Sequence, residues 1–279
     1  MINWYPGHMA KAKQNLEEKL KMIDVVIELV DARIPISSRN PEIDELLENK
    51  KRIFVLNKMD LADKLITESW VKKFNESVPT LAINSLNGQR ISLLVRQAKK
   101  LMASKLEKLV QQGRKKRDIR LMIVGIPNVG KSQLINQLNN RGSTRTGERP
   151  GVTRGQQWVK LREGFELLDT PGILWPKFSD DEVAFKLAAT GAIKAEAYDK
   201  ETVAYKLLKI LQEIIPDTLQ ERFDLDVVSN DTLRLMEDIG RKRGCLMSGG
   251  KVDRERTAGI ILQEFRRGRL GRISLELPD

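Results

Sequence analysis

The chain has 279 residues, enough for one sizeable domain and a smaller one around a real core. No segment approaches the length of a helical membrane span, and a single cysteine, Cys245, excludes an internal disulfide and suits a reducing cytoplasm. A net charge of +11 points to a polyanionic partner without identifying it.

In chain order, Met1 to Lys21 has no apolar signal core, and Glu17 and Glu18 count against a transit peptide, so a cytoplasmic location is expected. The apolar run 24–30 reads as a buried parallel strand, and 52–56 reads the same way, delivering Asn57 at its end. A third strand, 80–83, ends at Asn84-Ser85, and a helix over 91–110 repeats apolar residues at helical spacing. The charged stretch from Gly113 to Asp118 is a linker candidate. A fourth strand, 120–124, runs into Gly125, and 156–161 with 165–168 form a hairpin. Strand alternating with helix predicts a three-layer α/β domain with a mostly parallel sheet. After Pro176 strand signals stop, and helical patterns cover 181–195, 200–214, 229–241 and 253–267, punctuated by Pro216 and Gly249-Gly250. The expected division is therefore 1–177 and a small all-helical domain over 178–279.

Charge is distributed in blocks. Residues 90–120 carry 11 basic against 2 acidic side chains, 182–240 carry 7 against 12, and 241–272 carry 10 against 3. A solvated helix face is the ordinary explanation of one such run, whereas two basic blocks near a nucleotide site favour a nucleic-acid contact.

Gly125-Ile-Pro-Asn128-Val129-Gly130-Lys131-Ser132 fits the G-x-x-x-x-G-K-[ST] phosphate loop, placed between strand and helix. In such a loop backbone N–H groups surround the phosphates, Lys131 reaches the β/γ oxygens and the Ser132 hydroxyl ligates Mg²⁺. Asp169-Thr-Pro-Gly172 follows, where the acid can hold Mg²⁺ through water and the Gly172 N–H can meet a γ-phosphate. Between them, Thr153 of Pro150-Gly-Val-Thr153 is the natural second hydroxyl ligand of the metal. Asn57-Lys58-Met59-Asp60 decides the base. Asp60 can accept from guanine N1–H and the 2-amino group, which adenine cannot match. The stem of Lys58 can lie over the base, Asn57 braces the loop, and Asn84-Ser85 would supply a backbone N–H to the guanine carbonyl.

These five motifs have the spacings of a Ras-like G domain in the order fourth, fifth, first, second, third. A circularly permuted P-loop GTPase is therefore expected, with GTP as substrate. The helical domain would then follow directly on the segment that senses the γ-phosphate, as the readout of nucleotide state. Ile173 stands where Ras has its water-orienting glutamine and cannot hydrogen-bond water. His8, in Trp4-Tyr-Pro-Gly-His8, is a candidate for that task, or else docks the arm by stacking; Arg154 is a lesser candidate for charge stabilisation. Asn128 could help bind a monovalent cation or simply brace its loop.

The chain closely resembles the ribosome-biogenesis GTPase A family, bacterial permuted GTPases of late large-subunit assembly. The resemblance rests on Trp4-Tyr-Pro-Gly-His8, on Asp31-Ala-Arg-Ile-Pro-Ile-Ser-Ser-Arg-Asn40, on the nucleotide motifs, and on Gly244-Cys-Leu-Met-Ser-Gly-Gly250. It implies a factor that binds the immature 50S particle through rRNA and ribosomal proteins and is stimulated by it to hydrolyse GTP. It also implies His8 as the water-orienting residue and a K⁺-assisted reaction through Asn128. No membrane or DNA partner is expected. The competing reading is a GTP-dependent RNA-binding clamp in which hydrolysis is incidental.

Overall fold

The computed structural model describes residues 14, 16–113, 117–140, 158–161, 163–168 and 180–278. Six strands form one sheet: β1 (Val25–Asp31), β2 (Lys51–Asn57), β3 (Thr80–Ala82), β4 (Ile119–Val124), β5 (Trp158–Leu161) and β6 (Phe165–Leu168). Their spatial order is β3-β2-β1-β4-β6-β5, with every pairing parallel except the β5–β6 hairpin. The near-continuous apolar sequence of β1 and β2 follows from burial on both faces. Val25, Ile27 and Leu29 face one layer with Ile53 and Val55, against α3 (Ile91–Gln111) and α4 (Lys131–Asn140). The alternate residues Val26, Met122 and Val124 face the other layer with Leu16, Leu20 and Leu47, the last on α1 (Pro41–Leu47). Val30, Phe54 and Leu56 continue that layer against Trp70 of α2 (Lys64–Asn75). The expected α/β class and mostly parallel sheet are what the molecule has.

β4 lies in mid-sheet between β1 and β6, although β1 to β3 precede it in the chain. The register pairs Asp31 with Asn57 at the carboxyl ends of β1 and β2, where open α/β sheets bind their ligands.

The C-terminal part is helical: α5 (Asp181–Thr190), α6 (Lys200–Ile214), α7 (Pro216–Phe223), α8 (Thr232–Lys242) and α9 (Arg254–Arg266). A second core of Phe185, Leu207, Leu211, Leu235, Ile239, Ile261 and Phe265 holds these helices together. The expected boundary near residue 178 lies outside the described residues. The two cores share α5, which turns Phe185 into the helical core and Leu187 into the α/β core.

One expected helix is shorter than its pattern, and one helix stands where none was expected. The pattern over 181–195 stops at Thr190, because Gly191 takes a left-handed C-cap (φ +82°) and the chain then drops Ala192 and Ile193 against the α/β core. Pro216, taken as punctuation, opens α7, since a missing N–H costs nothing at the first helical position. Asp199 and Asp231 of the acidic block, and Asp180 just before it, are local caps that each accept a backbone N–H at a helix start. Cys245 is buried. Among the described residues no helix is long and apolar enough to cross a membrane.

Candidate nucleotide site at the strand ends

The strand ends bring the phosphate loop and the Asn57–Asp60 loop together. Asn57 is fully buried, and its amide ties three loops at once. Its Nδ2 donates to Val129 O at 2.7 Å and to Ser85 Oγ at 2.8 Å, and its Oδ1 accepts from Ser85 N at 3.0 Å. Gly130 permits this approach, since a Cβ there would lie 2.2 Å from Asn57 Nδ2. Within the Asn84-Ser85 pair expected to offer guanine a backbone N–H, that of Ser85 donates to Asn57, whose buried oxygen needs a donor. Asn84 holds its own turn, its Oδ1 accepting from Leu86 N at 2.8 Å. Both residues brace the wall of the site.

Lys131 opens α4 and curls back over its loop, donating to Gly125 O at 3.0 Å and Ile126 O at 2.7 Å. Burial pushes its ammonium down to about 8, because carbonyl dipoles alone replace the lost water. Ser132 is exposed in the first helical turn, beside Lys131 and at the positive end of the helix.

Lys58 sits in the left-handed region (φ +59°) and its Nζ lies 3.0 Å from Asp31 Oδ2. Asp31 also receives a fork from Arg33, Nε to Oδ1 at 2.9 Å and a terminal nitrogen to Oδ2 at 2.7 Å. Burial would raise the Asp31 carboxyl, but the charges of Arg33 and Lys58 hold it well below the usual carboxylate range. Arg33 is only 1% exposed, lies 5.2 Å from the Phe265 ring centroid, and reaches Thr190 O at 3.4 Å. It joins the guanine-motif loop to the helical region. Sequence reasoning assigned it no role, and its only local signal was Asp-Ala-Arg at a strand end.

The carbonyls at the end of α5 and at its Gly191 cap are met from outside the helix. Asn128 Nδ2 donates to Gly191 O at 2.9 Å, and Arg266 donates to Ala189 O at 3.0 Å and Ala188 O at 2.7 Å. A cavity of about 520 Å³ lies between the two parts, with Asn57, Lys58 and Asp60 on one side and Gly191 and Arg267 on the other. His8, Thr153, Arg154, Asp169, Gly172 and Ile173 lie outside the described residues.

Both basic blocks leave exposed cations without an acidic partner among the described residues, Lys251, Arg256 and Arg267 in 241–272 and three more on α3. On α3, Arg96, Lys100 and Lys108 are exposed with no acidic partner among the described residues. In 241–272, Arg241 pairs with Asp238, Lys242 with Asp224, Arg254 with Glu237 and Arg269 with Glu264. Arg243, Arg266 and Arg272 donate to backbone carbonyls.

A family model described as 50S ribosome-binding GTPase matches residues 120–223. The match begins at β4 and leaves β1 to β3 outside, as expected when the guanine motif precedes the phosphate loop. Ribosome biogenesis GTPase A of Bacillus licheniformis is 50% identical over 100% of this chain and 99% of its own length. That of Thermotoga maritima is 32% identical over 100% and 95%. A GDP-bound structure of YlqF from T. maritima superposes with a TM-score of 0.68 at 28% identity, covering 95% of this chain and 99% of that one. The chain is a GTPase and belongs to the ribosome biogenesis GTPase A family.

Proposed function

We propose that this GTPase is a late assembly factor of the large ribosomal subunit, which binds the 50S precursor through rRNA and hydrolyses GTP on it. The observation that carries the reading is likeness over the full chain to proteins named for ribosome biogenesis, helical part included. In this reading Asp60 accepts from guanine, with Asn57, Asn84 and Ser85 bracing its pocket. Val129, Gly130 and Lys131 hold the phosphates, and the Gly172 N–H meets the γ-phosphate. Mg²⁺ would be held by the Ser132 and Thr153 hydroxyls and by Asp169 through water, and would neutralise charge developing on the phosphates. The exposed Ser132 hydroxyl beside Lys131 suits such a hard cation. Water attacks the γ-phosphorus and GDP leaves, with His8 orienting that water in place of a glutamine. Asn128 has its Nδ2 on Gly191 O, which leaves Oδ1 to coordinate K⁺.

The domains would divide the work, with 1–177 binding nucleotide and 178–279 reading its state. The unpaired cations of α3 and of 241–272 would grip rRNA backbone, and binding should weaken steeply with salt. GTP turnover with and without 50S particles tests the reading: stimulation of at least tenfold is expected, and none would refute it. The Ile173 substitution favours the clamp as a second reading. Single-turnover chemistry on the particle far slower than release of the protein would decide for that clamp.

A further inference from the structure

The C-terminal segment after α9 buries Leu270 and Ile273 in the helical core and also reaches beyond it. It returns to the loop between β2 and α2, the loop that carries Asp60. Arg272 donates to Met59 O and to Asp60 O, both at 3.2 Å. Immediately after it, Ile273 N donates to Leu61 O at 2.9 Å, and Asp63 N donates to Ser274 Oγ at 3.2 Å. Just before it, Gly268 lies so close to Leu61 that a Cβ would come within 2.6 Å of Cδ2.

The segment is itself anchored beyond the loop. Leu275 N donates to Arg33 O at 2.9 Å, and the buried Glu276 carboxylate accepts from Ile36 N at 2.7 Å, from Ser37 N at 3.1 Å and from the Ser37 hydroxyl. Trp70 Nε1 donates to Glu276 O at 3.2 Å. Arg272 is therefore presented to the loop by backbone fixed on both sides. Its own side chain is exposed, so it adds little to global stability.

We propose that Arg272 is a positioning residue for guanine selection, acting through Asp60. A carboxylate distinguishes guanine from hypoxanthine only if it meets N1–H and the 2-amino group together. The two carbonyls that Arg272 grips flank the Asp60 α-carbon, so the guanidinium fixes the direction in which the carboxylate leaves the loop. Losing that grip relaxes the geometry for the second donor first. The argument rests on Asp60 as the reader of the base.

The test uses the full chain and competitive binding of GDP, IDP and XDP, which involves no hydrolysis. Asp60→Asn should reverse the preference between GDP and XDP. Arg272→Ala should weaken GDP about three- to tenfold, the scale of one or two net hydrogen bonds, and leave IDP nearly unchanged. The GDP-to-IDP ratio would fall by the same factor, and Arg272→Lys should fall between. General loosening of the protein would weaken both nucleotides alike, so an unchanged ratio in both Arg272 variants overturns the proposal. If Asp60→Asn leaves the GDP-to-XDP preference intact, the assignment of Asp60 and the role of Arg272 fall together. If Asp60→Asn reverses it while the Arg272 variants keep their ratio, only the Arg272 proposal fails.

Discussion

At Lys131, burial and charge compete in a way that pH can read. The ammonium sits at about 8 in the folded protein against an ordinary 10.5. Between those values the unfolded chain binds more protons, so this group makes stability rise with pH across the window. Bound phosphates favour the ammonium, so GDP binding takes up a proton there. GDP affinity should fall by up to tenfold per pH unit above about 8.5. Calorimetry in buffers of different ionisation heat should show uptake approaching one proton at pH 9.5; no uptake would contradict the assignment. The place of Lys131 was legible because strand, glycines and helix are contiguous. Asn57 was legible as a brace, but its bond to Val129 O spans 72 residues and has no local signature. Arg33 was not legible as a junction, because its partners Thr190 and Phe265 are set by tertiary packing alone.

Among the elements, α8 carries a glycine whose effect runs against propensity. Alanine in a helix interior is ordinarily better than glycine by about 1 kcal/mol. At Gly240, however, a Cβ would stand 2.4 Å from Val252 Cγ1 and 2.6 Å from Thr257 Oγ1. Thr257 is fully buried and its hydroxyl is tied to Asp253 O at 2.7 Å, so it cannot swing aside cheaply. Gly240→Ala should therefore destabilise by about 1–3 kcal/mol in urea denaturation, and a gain in stability would show that the site relaxes. The starts of α6 and α8 are local chemistry, each opened by an aspartate cap, Asp199 and Asp231. The length of α5 was not legible in the same way, because what stops it is Gly191 together with Asn128 and Arg266, brought from elsewhere in the molecule.

For the molecule as a whole, the permuted order was legible because each motif is a contiguous run of sequence. The return of the C-terminal segment was not, since residues 272–278 carry no periodic pattern. Charge counts have the same limit in kind, since a run of basic residues does not show which of them face acids. Glu276 is the buried charged anchor of the returning segment. Glu276→Ala leaves the Ile36 and Ser37 N–H groups without their acceptor and should cost about 2–4 kcal/mol in urea denaturation, with weaker GDP binding. Stability within 0.5 kcal/mol of the parent protein, the size of an ordinary surface change, would mean that the segment is not held there. The same closure gives the molecule a direction in time. Asn57 and Asp60 leave the ribosome more than 200 residues before Arg272 and Glu276 do. At ordinary translation speeds that interval is roughly 10–45 s. A nascent chain thus displays the Asp60 loop well before Arg272 and Glu276 exist to hold it.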